Sequence, residues 1–265
     1  MGKFVTGASG DLATAPLILQ LDSPQATELS LTGGKARGLA RLIQAGFRVP
    51  PGYVVTTAAY VKFSAQADLA PLLAELAKVS LQDKARLATI STRLRDKLLA
   101  QPLPDDIAKL VMSAYHALGP QSAVAVRSSA TAEDLASASF AGQQETLLNV
   151  RGSAALLLAV RKVFASLWSE RAVVYRAVIG VPPQALRLAV VVQRMIDPRV
   201  AGVLFTANPL TGRRHQAVID AAFGLGESVV SGLIDSDHFV IDMNTGVVCE
   251  TKLGNKQLAI RAKSA

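Results

Sequence analysis

Between residues 68 and 119 apolar side chains recur at helical spacing, whereas from residue 186 onward they come in short runs separated by turn residues. That switch of period excludes a repeating βαβ protein and predicts an α+β chain: a helical N-terminal portion followed by a mostly antiparallel sheet. One helix is expected to carry Leu87, Ile90, Leu94 and Leu98 behind an Asp83 cap. A second opens at Pro104, presents Ile107, Leu110, Val111, Ala114 and Leu118 on one face, and stops at Gly119-Pro120. A third runs from Ser153 through Leu157, Val160, Phe164, Leu167 and Trp168 towards Tyr175, with Trp168 read as packing. The strand-like runs are 188–195, 201–206, 216–220 and 238–242, and an Asn208-Pro209 turn lies among them.

Composition narrows the function classes. With 50% hydrophobic and 18% charged residues the chain has ample material for a core and too little charge for extensive disorder. Its formal charge of +8 favours anionic partners. The basic residues are scattered, with no block and no interleaved aromatics, so nucleic acid is not the expected partner. No run approaches the ~18 apolar residues that span a bilayer, and the N-terminus lacks the plan of a secretory leader. Met1-Gly2-Lys3-Phe4-Val5-Thr6 fits the loose myristoylation pattern, a short string that carries little weight. A cytoplasmic chain without a membrane partner is expected. The lone Cys249 cannot form an internal disulfide and is read as a packed strand residue. His116, His215 and His238 lack a second ligand at metal spacing, so no metal site is expected on them and all three are read as structural or solvated.

Three glycine-bearing or small-residue segments carry possible chemistry. Thr6-Gly7-Ala8-Ser9-Gly10 suggests a dinucleotide fingerprint, but too short a strand precedes it and a proline-flanked extended run follows. Residues 1–15 are therefore read as a loose leader. Gly33-Gly34-Lys35 opens a helix whose buried face carries Leu39, Leu42 and Ile43. Free amides and a lysine at such an entrance suit an anion, and a glycine-capped helix with a solvated lysine explains the spacing equally well. In 124–134 an apolar run delivers Arg127 into a loop with Ser128, Ser129 and Thr131, ahead of a second strand-like run. An always-charged guanidinium among hydroxyls suits phosphate, and an ordinary hairpin with a solvated tip is the alternative. Gln193, near the end of a buried run, either bonds a flat heterocycle or caps a strand edge. Gly224 and Gly226 either bring backbone to a ligand or serve turn geometry alone.

Taken in order, Gly33-Gly34-Lys35, Val49-Pro50-Pro51-Gly52, Val126-Arg127-Ser128-Ser129-Ala130-Thr131-Ala132-Glu133-Asp134 and Phe140-Ala141-Gly142-Gln143-Gln144-Glu145-Thr146 resemble one family. Val190-Val191-Val192-Gln193, the 201–209 segment and Gly224-Leu225-Gly226-Glu227 extend the likeness. It is the N-terminal ATP-binding domain, of pyruvate phosphate dikinase type, of the phosphoenolpyruvate synthase and rifampicin phosphotransferase family. The resemblance covers roughly residues 16–260, with segments 166–176 and 212–216 somewhat closer to the rifampicin phosphotransferase branch.

The resemblance implies an ATP-grasp-like domain over 16–265, with a Gly-Gly-Lys and helical part to about 120 and a sheet part over 121–265. It implies that ATP, with Mg2+, donates a phosphoryl group to a histidine on a separate swivelling domain, which hands it to an acceptor such as pyruvate or a rifamycin. Lys35 and Arg127 would hold ATP phosphates, Gly142 and Thr146 would line the nucleotide site, and Gln193 would lie along it. The family's magnesium ligands would fall beyond Ala265, as would the phosphohistidine and acceptor domains. No catalytic residue is therefore assigned, and the chain alone is expected to be an incomplete phosphotransferase. The alternative is a non-catalytic nucleotide-binding or regulatory module that keeps the fold.

Overall fold

In a computed structural model, residues 14–80, 82–131, 145–178, 187–255 and 257–262 are described. The chain divides into two units, Met1–Met195 and Ile196–Ala265.

The first unit is built on an antiparallel sheet of β1 (Ile18–Gln20), β2 (Gly52–Val55), β3 (Val124–Ala130), β4 (Thr146–Val150) and β5 (Leu188–Arg194). The spatial order is β1-β2-β5-β3-β4. The Leu-Ala-Val-Val-Val-Gln stretch of β5 is buried throughout, as a strand covered on both faces must be. Because directly opposed residues share a face, the register sorts the side chains. Tyr53, Val55, Val124, Val126, Val190 and Val192 lie on one side, and Val54, Arg127, Val191 and Gln193 on the other.

The first face supports the main core. Against it pack α2 (Thr57–Ala65), α5 (Asp105–Leu118) and α6 (Ser153–Ser166), and α3 (Ala70–Leu76), α4 (Lys84–Ala100) and α7 (Glu170–Val178) extend the same core over those helices. Phe164 has Phe63 and Tyr60 at 5.7 and 5.4 Å between ring centroids. At ~1.5–3 kcal/mol per fully buried large apolar side chain, this face dominates the stability of the unit. The opposite face holds a smaller cluster of Leu21, Val54, Ala189 and Val191, covered by Ala36, Leu39 and Ile43 of α1 (Leu29–Gln44).

The expected helix after Asp83 is present, with the Asp83 carboxylate accepting from Arg86 N–H at 3.1 Å. Trp168 is buried, and its Nε1–H donates to the Tyr60 hydroxyl at 3.0 Å. Two expectations need correction. In α5 the buried line is Ile107, Val111, Ala114 and Tyr115, while Leu110 is exposed. Tyrosine hydroxyls set that rotation: Tyr53 donates to the Val111 carbonyl, and Tyr115 donates to Ser122 O and accepts from Gly152 N–H. The helix expected from Ser153 to Tyr175 is two helices. α6 stops at Ser166, and Ser169 then receives the Ala172 N–H at 3.3 Å as a fresh cap.

The second unit is a meander of β6 (Val200–Phe205), β7 (Gln216–Phe223), β8 (Asp237–Asp242) and β9 (Val248–Lys252), in that spatial order, with α8 (Glu227–Val230) after β7. Asn208 organises the β6–β7 turn by accepting from the N–H groups of Leu210 and Thr211 and donating to Gln216. At Gly224, where φ is 82°, an added Cβ would lie 2.2 Å from the Ile260 carbonyl oxygen. The close backbone approach at this glycine is thus made to the chain itself. Cys249 is exposed, not packed, because all five residues of β9 are exposed. His238 pairs with Asp220 at 2.8 Å, and His116 contacts the Ser153 hydroxyl at 3.4 Å.

Asp242 ties the β8–β9 turn. The N–H of Thr245, with the Asn244 N–H and the Thr245 hydroxyl, holds its carboxyl below the ordinary carboxylate range. A depressed folded pKa contributes stability above the unfolded value, about 3.9, that is lost as pH falls through the folded one. The stability difference between wild type and Asp242→Ala should therefore be constant near neutrality and shrink in acid denaturation series below about pH 4. A difference independent of pH would contradict the assignment.

Among the described residues no helix is long and apolar enough to cross a membrane.

Candidate functional site

The site lies on the α1 side of the five-stranded sheet and starts from a break in α1. Gly33 has φ 73° and ψ 172°, outside helical geometry, so α1 is two helical segments joined at a kink, and the paired glycines open the second of them. The cause is a close approach. A Cβ on Gly33 would stand 2.2 Å from the Ser129 carbonyl oxygen and 2.5 Å from its carbon. Only glycine lets α1 lie this near β3. Beyond the kink Ala36 and Ala40 face the sheet, with Leu39 and Ile43 half-buried beside them, while Leu42, expected on that face, is exposed.

The kink delivers Lys35 to β3. Its Nζ donates to the Ser128 carbonyl at 2.7 Å, and the next residue, Ala36, donates its backbone N–H to Ser129 Oγ at 3.1 Å. Ser128 is the neighbour of Arg127. Two cations 92 positions apart in sequence are thus rooted one strand residue apart. The helix segment beginning here also turns its positive end towards the same strand.

Arg127 is expected in a loop, and the structure corrects this. β3 continues to Ala130 because β5 pairs with it from Val124–Arg194 to Ala130–Leu188, which fixes half-buried Arg127 in mid-strand. Directly opposite, on β4, stands exposed Thr146, and on the other side Val191. Gln193 shares this face two residues further along β5, roughly 7 Å away along the strand. Its Nε2–H donates to the Pro50 carbonyl at 3.0 Å, and β5 is internal to the sheet, so Gln193 caps no edge. Lys35, Arg127, Thr146 and Gln193 are therefore brought to one face; Gly142 lies outside the described residues.

Of the three hydroxyls expected to join Arg127 around an anion, two are otherwise engaged and the third is on the opposite face. Ser129 Oγ holds Ala36, and Thr131 contacts the Arg187 carbonyl at 3.4 Å. Ser128 Oγ is buried without a hydrogen-bond partner among the described residues, its residue alternating with Arg127 towards the main core. The role missed from sequence is thus Ser129 as a fastener, and only the adjacency of two serines hinted at it.

Chemically, the four gathered side chains bring two positive charges and two neutral polar groups. That set suits phosphate oxygens and does not suit a divalent cation, which takes carboxylates. Among the described residues no cluster of three or more His, Cys, Asp or Glu side chains could hold a metal ion.

The sequence pattern of the pyruvate phosphate dikinase AMP/ATP-binding domain matches residues 29–265. The chain belongs to that family. It is 45% identical over 248 residues to a rifampicin phosphotransferase of a Streptomyces species, covering 93% of this chain and 28% of that protein. The rifampicin phosphotransferase of Bacillus subtilis strain 168 is 42% identical over 92% of this chain and 28% of its own length. A probable phosphoenolpyruvate synthase of Methanothermobacter thermautotrophicus is 41% identical over 87% of this chain and 34% of its own. The chain therefore spans about a third or less of these relatives. Both the Gly33 kink and the Arg127 strand fall inside the region matched to the AMP/ATP-binding family.

Proposed function

We propose that the chain is the ATP-binding portion of an ATP-grasp-type, dikinase-like phosphotransferase, its ATP-binding domain spanning 16–265, with the triphosphate held between Lys35 and Arg127 of the first unit. The observation that carries the reading is the anchoring of Lys35 Nζ on the carbonyl next to Arg127. A polyphosphate with about four negative charges gains most where two fixed cations meet it without further reorganisation. Thr146, opposite Arg127, offers a hydroxyl to the same phosphates, and Gln193 lies further along the strand where the rest of the nucleotide would extend. Gly142 belongs to the same proposed site, and magnesium would arrive with the phosphates.

Phosphoryl transfer asks the protein for positioning and charge neutralisation more than for covalent chemistry. The assembly around Lys35 supplies both. The acceptor is a histidine on a separate domain, from which the group passes to a final substrate of the kind named for the relatives, in the cytoplasm where ATP is available. Equilibrium dialysis of this chain with labelled ATP and magnesium should show saturable binding. No saturation up to ~1 mM, where binding is worth only about 4 kcal/mol, would remove the proposal. With a relative's segments that follow the matched region, from the expected magnesium ligands through the histidine-bearing domain, added in trans, label should appear on that histidine. Binding without transfer would reduce the chain to a nucleotide-binding module.

A further inference from the structure

We propose that Ser129 is a positioning residue for Lys35: its hydroxyl caps the second segment of α1 from the facing strand β3 and so fixes the lysine beside Arg127. The functional consequence rests on the ATP reading above; the positioning itself does not.

A helix that restarts after a kink has a new set of amide donors to satisfy. The residue before the restart normally provides a cap from a Ser, Thr, Asp or Asn side chain. Here that route is closed. Gly33 has no side chain, and none fits against the Ser129 carbonyl. Thr32 is buried with its hydroxyl bonded to the carbonyls of Ala26 and Glu28. The Ala36 N–H belongs to a fully buried residue, where an unmade hydrogen bond is costly. Ser129 Oγ meets it from 93 positions away in sequence.

The consequence is a lock with two adjacent points. Lys35 bonds Ser128 and Ala36 bonds Ser129, so consecutive helix residues are tied to consecutive strand residues. Packing of Ala36, Leu39 and Ile43 holds the later turns of α1 on the sheet, and the two ties hold its first turn after the kink, from which the lysine stem leaves. Ser129 has no exposed surface, so its role is exerted on Lys35 without contact to a nucleotide.

The test uses Ser129→Ala, and Ser129→Cys, which keeps the size with a weaker acceptor. Acylation of each lysine by acetic anhydride is followed in the ligand-free chain by peptide mass spectrometry, with Lys62 and Lys97 as internal references. Lys35 should label several-fold faster in Ser129→Ala, and to an intermediate extent in Ser129→Cys, with the reference lysines unchanged. ATP affinity should fall about tenfold in Ser129→Ala, in line with the loss of a helix cap. That loss should disappear when Ser129→Ala is made in a Lys35→Ala background, because the serine acts through the lysine. Unchanged Lys35 labelling, or an undiminished loss of affinity in the Lys35→Ala background, would overturn the proposal. Faster Lys35 labelling in a chain whose wild type does not bind ATP would uphold the positioning and refute the ATP reading.

Discussion

Replacing Gly33 by alanine is expected to destabilise the first unit by ~3 kcal/mol or more. Two costs add. The backbone at φ 73°, ψ 172° lies in a region essentially restricted to glycine, and the new methyl would sit 2.2 Å from the Ser129 carbonyl oxygen. The atoms it meets are backbone in a central strand pair, so they cannot swing aside as a flexible side-chain end would. Either β3 yields, against its pairing with β5, or α1 lifts from the sheet and uncovers Val54, Ala189 and Val191. Gly38→Ala provides the contrast. Gly38 lies in the same helix with nothing within 4 Å of a built Cβ, so alanine there should be neutral or stabilise by up to ~1 kcal/mol. Urea unfolding of the two variants checks both signs. Equal midpoints would mean that the kink is not held by contact with β3.

Arg127→Ala should lower ATP affinity about a hundredfold, ~2.7 kcal/mol, the size of a charge-assisted hydrogen-bonded contact to phosphate. Arg127→Lys should recover only part of this, because a point charge replaces a planar fork. The strand should survive both changes. Arg127 is half-buried on the face opposite the main core, and its backbone pairing with Val191 and Thr146 does not depend on the side chain. Circular dichroism then separates a binding defect from a folding one. Unaltered affinity in a folded Arg127→Ala protein would remove arginine from the site.

Much of the architecture was legible because its signals are local. The change from helical to strand period gave the α+β class, and Asp83 marked the start of α4. The apolar Val190-Val191-Val192 run marked a buried strand, which is the central β5. What was not legible depends on distant partners. The helix start at Gly33-Gly34-Lys35 was readable, but nothing near Gly33 reveals the helical segment before it or the strand 96 positions away that presses against it. Arg127 reads as a loop residue because the small side chains after it look like a turn, whereas β5 keeps the strand going to Ala130. Leu110 is as apolar as Val111, and which of them faces the core depends on distant partners, the packing of Ile107, Val111, Ala114 and Tyr115 and the tyrosine hydrogen bonds. For the proposed site, no motif carried the juxtaposition of its residues. The motifs named Lys35, Arg127, Thr146 and Gln193 separately, and strand register is what places the last three on one face.

The most direct measurement compares ATP with AMP by isothermal titration in wild type, Lys35→Ala and Arg127→Ala. If both cations meet one polyphosphate, wild type prefers ATP, and each substitution erodes that preference while AMP affinity stays nearly constant. Loss of ATP and AMP affinity in equal proportion, or a preference untouched by either change, would contradict the account.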